Sequence, residues 1–176
     1  MDSIAQAALR RDLAALLPDL RAFARFLARD RVLADDIVQD AVVRALAALD
    51  QFQPGTNLKA WLFTILRNVF YEQGRRRKRE TAALQAGFDA DEAAAPVQDA
   101  RSAITDLQRL LWTLPPLLRE ALILVGAQEL SHEEAAAVCG VPAGTMKARL
   151  SRGRTALAAA MQRADGGDDG EHRDGA

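Results

Sequence analysis

Residues 131–157 read SHEEAAAVCGVPAGTMKARLSRGRTAL, and this stretch decides the fold of the C-terminal part of the chain. Ser131 is followed three residues later by Glu134, which is the pattern of a capping box at the start of a short helix. Gly140 indicates a tight turn, and Pro142 suits the first turn of a second, longer helix. A short helix, a glycine turn and a longer helix together predict a helix-turn-helix.

The longer helix of this motif is predicted to have one buried and one exposed side. Met146, Leu150, Gly153 and Leu157 recur with the period that places them on a single side. Basic and small polar side chains elsewhere on the helix suit contacts with base edges and phosphates. The candidate DNA-binding residues are Thr145, Lys147, Ala148, Arg149, Ser151, Arg152 and Arg154, of which Arg149 and Arg154 lie on the flanks. An ordinary helical hairpin with a basic surface is the alternative interpretation.

Outward from this motif, the whole chain has the pattern of an all-α protein with two small helical domains. Ala, Leu, Arg, Glu and Gln dominate, whereas runs of strand-favouring residues are nearly absent. The first domain spans 9–80. An apolar stripe over 13–27 predicts its first helix. A second helix is predicted from about residue 34, and a third from residue 58 that runs into the basic stretch 75–79. The second domain spans 102–163, with a helix break at Pro115 and Pro116.

Two further segments show no sustained apolar periodicity. Residues 81–101 are rich in Ala, Asp and Glu and predict a flexible acidic linker between the domains. Residues 164–176 are rich in Gly and Asp and predict a disordered acidic tail.

The net charge of −1 conceals a segregated charge pattern. Residues 67–80 hold six basic and two acidic side chains, and residues 142–163 hold five basic ones and no acid. Residues 88–106 and 164–176 each hold five acids and one Arg. Two basic blocks that alternate with acidic ones indicate two polyanion-binding surfaces, although solvated helix faces would give the same pattern.

Several other classes of function are disfavoured by the sequence. The single cysteine, Cys139, offers no internal disulfide and no zinc site, and it is predicted to be a buried apolar residue. His132 and Glu133 begin like a zinc-protease motif, but Ala136 stands where the second His is needed. No signal peptide or membrane-spanning run is present, so we expect a cytoplasmic protein with no membrane insertion. No glycine-rich phosphate loop follows a strand and no nucleophile lies in a recognisable elbow, so we expect no enzymatic activity and no cofactor.

The residues of the helix-turn-helix also resemble a known family. Residues 140–154, GVPAGTMKARLSRGR, look like the recognition helix of region 4.2 in extracytoplasmic-function (ECF) sigma factors, and Leu114-Pro115 followed by Arg119-Glu120 resembles the stretch before it. The resemblance implies that this helix reads the promoter −35 element. Near the N-terminal domain's break, residues 54–63, PGTNLKAWLF, are most similar to the general-stress-response subgroup of alphaproteobacteria.

The first domain extends the resemblance. Residues 35–40, DDIVQD, look like region 2.2, with which the family binds the clamp helices of RNA polymerase. The polymerase-binding residues that this implies are Asp36, Gln39, Asp40 and Arg44. Residues 57–68, NLKAWLFTILRN, look like regions 2.3 and 2.4, which open and read the −10 element. The implied −10 residues are Phe52, Asn57, Lys59, Trp61, Arg67, Asn68, Arg75 and Arg76. Trp61 fits a place in the core equally well.

The resemblance therefore implies an RNA polymerase sigma factor that directs promoter-specific initiation, in a stress response. Its implied partners are core polymerase (clamp helices and flap), promoter DNA at −10 and −35, and an anti-sigma factor. A helix-turn-helix regulator that works without polymerase is one alternative, and Asp36, Gln39 and Asp40 argue against it. A sigma-like decoy that only sequesters an anti-sigma factor is another, and the DNA-facing Lys147 and Arg152 argue against that.

Overall fold

The computed structural model describes residues 3–85 and 103–166, and within these ranges the protein is helical with no strand. The predictions for 86–101 and 167–176 lie outside the described residues. The first group of helices is α1 (Ser3–Ala15), α2 (Leu17–Ala28), α3 (Arg31–Ala47) and α4 (Leu58–Gln85). The second group is α5 (Ala103–Thr113), α6 (Pro116–Leu122), α7 (His132–Cys139) and α8 (Ala143–Gly166). These groups belong to two compact units, so the all-α fold with two helical domains is confirmed.

The first two helices correct the prediction of a single helix over 13–27. The chain breaks at Leu16, and Pro18 lies in the first turn of α2. Proline fits there because its missing N–H would have no intrahelical acceptor in a first turn. The apolar stripe runs through the break without losing its spacing, so periodicity alone does not reveal it.

Short-range hydrogen bonds set the starts of α3 and α4. The Leu33 N–H donates to Asp30 Oδ1 at 2.6 Å, so α3 begins at Arg31, three residues before its predicted start. The Ala60 N–H donates to Asn57 Oδ1 at 3.2 Å, which caps α4. Before this cap, Gly55 has a φ of 88°, a left-handed conformation that glycine adopts without a steric penalty.

The core of the first unit lies between α2, α3 and α4. The rings of Phe23 and Phe63 are 4.8 Å apart, and both side chains are completely buried with Leu20, Ile37 and Leu66. α4 continues beyond this core to Gln85, so the first five residues of the predicted linker are helical. Residues 81–85, TAALQ, include Ala, Leu and Gln, which favour helix and explain this continuation.

In the second group of helices, the capping box and the glycine turn are confirmed. The Glu134 N–H donates to Ser131 Oγ at 3.1 Å, and the Ser131 N–H donates to Glu134 Oε2 at 2.8 Å. Gly140 has a φ of 64° between α7 and α8. A short π-helical segment, Ile123–Ala127, follows α6 and leads to Glu129, which has a φ of 58°.

The buried side of α8 agrees with the predicted stripe. Met146 and Leu150 are buried, and Gly153 is buried where α8 approaches α6. A β-carbon at Gly153 would lie 3.0 Å from Leu122 Cγ and 3.2 Å from the Leu118 carbonyl oxygen. The small size of this residue therefore permits the close approach of the two helices.

Candidate polymerase and nucleic-acid surfaces

A polar groove of about 360 Å³ lies between α3 and the C-terminal half of α4. All four residues that the sequence analysis assigned to polymerase binding line it from α3, namely Asp36, Gln39, Asp40 and Arg44. From α4 the groove is lined by Glu72, Gln73, Arg76, Arg77 and Glu80. We refer to these nine residues as the α3–α4 groove. Its two walls carry both signs of charge on exposed side chains, which suits a charged protein partner.

Two contacts join the walls of the α3–α4 groove. Arg44 Nη1 lies 2.6 Å from Glu72 Oε2, and Gln73 Nε2 donates to Asp40 Oδ2 at 2.8 Å. The hydrogen bond from Arg44 holds the pKa of the Glu72 carboxyl below its usual range, and the charge of Arg44 adds to this effect. The same hydrogen bond raises the pKa of Arg44. Both α4 residues were missed by the sequence analysis, because their partners are 28 and 33 residues away in the chain.

The structure separates two neighbouring arginines that the sequence analysis assigned together to the −10 element. Arg76 lines the α3–α4 groove, and its Nε lies 2.8 Å from Glu80 Oε1. The pKa of Arg76 is raised chiefly by this hydrogen bond to Glu80, and the charge of Asp40 raises it further. Arg75 is exposed and is not part of the groove lining. Of these two arginines, only Arg75 lies where it suits contact with DNA.

The start of α4 carries three of the predicted −10 residues. Asn57 is exposed and caps the helix through Oδ1. Lys59 Nζ lies 3.0 Å from Asp19 Oδ2 on α2 and 5.7 Å from the centre of the Phe63 ring. The ion pair with Asp19 links α4 to α2, and because 22% of the Lys59 side chain is exposed, it can also present a cation to a ligand.

Aromatic side chains at this end of the domain form a pair. The rings of Phe52 and Trp61 lie 5.4 Å apart, and Phe52 is only 8% exposed. A ring buried to this extent packs against its neighbour and has little surface on which to receive an unstacked base. Trp61 is half-buried. Phe52 therefore packs against Trp61 and supports it from within the domain. One part of the Trp61 side chain is packed, and another part is accessible.

Further along α4, one cation lies beside an aromatic ring. The Arg67 guanidinium lies 4.5 Å from the centre of the Tyr71 ring, and that ring meets Phe70 edge-on at 5.1 Å. Asn68 is exposed. Tyr71 was missed as a candidate by the sequence analysis, although its spacing of four residues from Arg67 predicts that the two share a helix face.

On α8 the predicted exposed face is present. Lys147, Ala148, Ser151, Arg152 and Arg154 are exposed, whereas Thr145 and Arg149 are half-buried. Arg149 Nη1 is buried with no hydrogen-bond partner among the described residues, so this end of the side chain does not point to solvent. A groove of about 330 Å³ runs beside the helix, and its lining residues are His132, Lys147, Leu150, Ser151, Arg154 and Thr155.

Other kinds of site find no support in the described ranges. Residues 3–85 and 103–166 hold no group of three metal-ligating side chains. Cys139 is buried at 6% exposure, as expected of a small apolar residue. No helix in the same ranges is both long and apolar enough to cross a membrane.

Comparison with known proteins decides the family. The family model for sigma-70 region 2 matches residues 13–80, and the model for sigma-70 region 4 matches residues 104–157. The ECF RNA polymerase sigma factor EcfG of Rhodopseudomonas palustris is 46% identical over 161 residues, which cover 92% of this chain and 88% of the relative. This chain belongs to the ECF sigma factors of the sigma-70 family. The matched ranges place the α3–α4 groove in region 2 and α8 in region 4.

Solved structures of similar proteins agree with this family. The sigma factor RpoE of Bartonella quintana, solved in complex with the anti-sigma factor NepR, is 44% identical with a TM-score of 0.74, over 87% of this chain and 96% of that one. CnrH, solved with the cytosolic domain of CnrY, is 29% identical with a TM-score of 0.65, over 90% of each chain. As a member of this family, the present protein is a sigma factor that directs RNA polymerase to promoters and is not an enzyme, as the sequence analysis predicted.

Proposed function

We propose that this sigma factor divides its work among three surfaces. The α3–α4 groove binds the clamp helices of core polymerase. The N-terminal part of α4 opens and reads the −10 element, and the exposed side of α8 reads the −35 element. The proposal keeps the domain boundaries at 9–80 and 102–163, and it makes the flap of the polymerase the second contact, through the C-terminal domain.

The observation that carries the proposal is the gathering of Asp36, Gln39, Asp40 and Arg44 along one groove. These residues are exposed, so a partner can reach them without unfolding the domain. Acidic side chains on a helix suit a basic coiled coil, because complementary charge steers the encounter and fixes its register.

We also propose that this sigma factor acts in the cytoplasm as part of a general stress response, and that an anti-sigma factor of the NepR kind regulates it. The similarity to EcfG and to an RpoE that was crystallised with NepR supports this. A purified NepR-type protein is expected to displace core polymerase from this sigma factor in a competition assay. Simultaneous binding of both without competition would contradict the proposal.

The polymerase assignment is tested by reversing charge in the α3–α4 groove. We expect Asp36→Lys with Asp40→Lys to abolish co-purification with core polymerase, because lysines there repel a basic partner. The matched control is Asp12→Lys with Asp50→Lys, which makes the same change of charge at two exposed sites outside the groove. Undiminished binding by the groove variant, with unchanged helical content, would overturn the assignment.

A further inference from the structure

The α3–α4 groove contains more than the four residues that would meet the polymerase. Gln73 donates its side-chain N–H to Asp40 Oδ2 at 2.8 Å, and Glu72 accepts from Arg44 at 2.6 Å. Each of these α4 side chains therefore touches one α3 side chain of the proposed polymerase face. The two contacts are adjacent on α4 and four residues apart on α3, so together they set a pair of neighbouring side chains.

Neither contact can matter much for the stability of the domain. The side chains of Arg44 and Glu72 are 48% and 54% exposed, and ion pairs in water contribute little to folding. The hydrogen bond from Gln73 to Asp40 is also exposed, so water competes for it. Their effect lies in orientation. A side chain that is already held loses less rotamer freedom when a partner binds it, so a preset face binds more tightly than a mobile one.

The partners also keep the capacity to bind. A carboxylate accepts several hydrogen bonds, so the bond from Gln73 leaves Asp40 able to accept another from the polymerase. A guanidinium carries five N–H donors, so Arg44 likewise retains donors after its contact with Glu72. The contacts with α4 thus constrain these side chains without using them up.

We infer that Gln73 and Glu72 are positioning residues for polymerase binding, which hold Asp40 and Arg44 in the orientation that core polymerase meets. This inference rests on the proposed function of the α3–α4 groove. It makes the C-terminal half of α4 part of the polymerase-binding machinery, although neither α4 residue needs to touch the polymerase.

A double-mutant cycle tests the inference with the full-length protein and core polymerase. Gln73→Ala should weaken binding by about threefold to tenfold, the cost of ordering one further side chain. In an Asp40→Ala background the same substitution should cost nothing, because the side chain that it orients is gone. Glu72→Ala should behave in the same way towards Arg44→Ala. An equal loss from Gln73→Ala in both backgrounds would overturn the inference.

The substitution Gln73→Glu separates orientation from net charge. It adds a negative charge that would strengthen attraction to a basic partner if charge alone mattered. Beside Asp40, however, the new carboxylate repels that side chain out of position, so we expect weaker binding. Gln51→Glu is the matched control, since it adds the same charge at an exposed site outside the groove. Equal or tighter binding by Gln73→Glu than by this control would contradict the inference.

Failure of the inference can be told from failure of the proposed function. If Asp36→Lys with Asp40→Lys still binds polymerase, the groove is not the interface and both fail. If that variant loses binding while Gln73→Ala and Glu72→Ala bind as the wild type does, only the positioning role fails.

Discussion

At the scale of single residues, Gly153 is the position where the packing of the C-terminal domain has least room. An added β-carbon would lie 3.0 Å from Leu122 Cγ and 3.2 Å from the Leu118 carbonyl oxygen. The leucine side chain can shift, but the backbone carbonyl cannot shift without moving α6. We expect Gly153→Ala to destabilise the domain by about 1–3 kcal/mol, as overpacking does.

Gly144→Ala is the matched control on the same helix, because a β-carbon there would meet no atom of another element within 4 Å. It should leave stability unchanged or raise it slightly. Urea unfolding followed by Trp112 fluorescence in a Trp61→Phe background would report on this domain alone. A Gly153→Ala midpoint at or above that of Gly144→Ala would show that α6 and α8 are not in close contact there.

Residue by residue, burial also decides which aromatic side chains can serve DNA. The sequence places Phe52 and Trp61 together among the −10 candidates, because composition cannot tell a packed ring from an accessible one. In the structure Phe52 is buried against Trp61, which is only half-buried. The distinction depends on tertiary packing, and no local pattern in the sequence carries it.

At the scale of elements, α4 presents different side chains on different faces. Glu72 and Glu80, the two acids within its basic stretch, both pair with arginines of the α3–α4 groove. Three basic residues outside the groove, Arg67, Arg75 and Lys78, lie on another side of α4, since the last two positions are 8 and 11 residues after Arg67 and share its face. This charge sorting predicts unequal roles for adjacent arginines.

We expect Arg75→Ala to weaken promoter binding by the assembled holoenzyme. The slope of the logarithm of the binding constant against the logarithm of salt concentration should fall in magnitude by about one. Arg76→Ala should leave that salt dependence as in the wild type, because its side chain faces the groove. The two variants control for each other, since each removes one positive charge from neighbouring positions. The measurement is binding of holoenzyme to a fork-junction promoter at several salt concentrations. The same slope of binding against salt for both variants would contradict the proposed difference between Arg75 and Arg76.

The recognition helix α8 is the second element with a divided role. Lys147 and Arg152 are exposed and placed to enter a major groove, and a base-reading cation contributes about 1–3 kcal/mol of discrimination. Arg154 lines the groove beside α8 together with Lys147, but it lies on the flank of the exposed side, where a phosphate contact is expected. Alanine at Lys147 or Arg152 should therefore relax preference at particular −35 base pairs, whereas Arg154→Ala should lower transcription from all promoters alike.

Run-off transcription from a library with a randomised −35 element measures this division. Reversed results, with base preference changed by Arg154→Ala and retained by the other two variants, would place another side of α8 towards DNA. Arg149, which the sequence analysis placed among the DNA-binding candidates on the flank of α8, has a buried guanidinium nitrogen and is therefore left out of this test.

Elements whose boundaries depend on near neighbours could be predicted from the sequence. The capping box at Ser131, the glycine turn and the buried side of α8 all follow from residues within a few positions of one another. The apolar period alone does not reveal the break between α1 and α2, but Pro18 in the first turn of α2 is a local signal for it, as Pro115 and Pro116 are for the later break. The Gln73–Asp40 contact joins residues 33 apart and requires the folded arrangement of α3 and α4.

At the scale of the whole molecule, the chain divides into two compact units, and the family models for regions 2 and 4 match residues 13–80 and 104–157. If the units work as tethered modules, a fragment of residues 1–98 should bind core polymerase. Its transcription should not respond to the −35 sequence. Adding residues 99–176 as a separate chain should not restore that response at equal concentration, because a tether supplies a high effective concentration that free fragments lack.

Run-off transcription with the two fragments, singly and mixed, is the measurement. A mixture that discriminates −35 sequences as well as the intact chain would show that the tether is dispensable. The intact protein in the same assay is the reference for full discrimination.

The two faces of α4 have a practical consequence for engineering. Under the proposed division, the side chains assigned to the polymerase and those assigned to the promoter alternate along α4 and lie on different faces of it. If this division holds, a library restricted to the Arg67, Arg75 and Lys78 side can be selected for new promoters without changing the residues that are proposed to bind the host's polymerase. The same backbone could thus yield sets of sigma factors that share one polymerase and ignore each other's genes, which is what independent synthetic circuits in a single cell require.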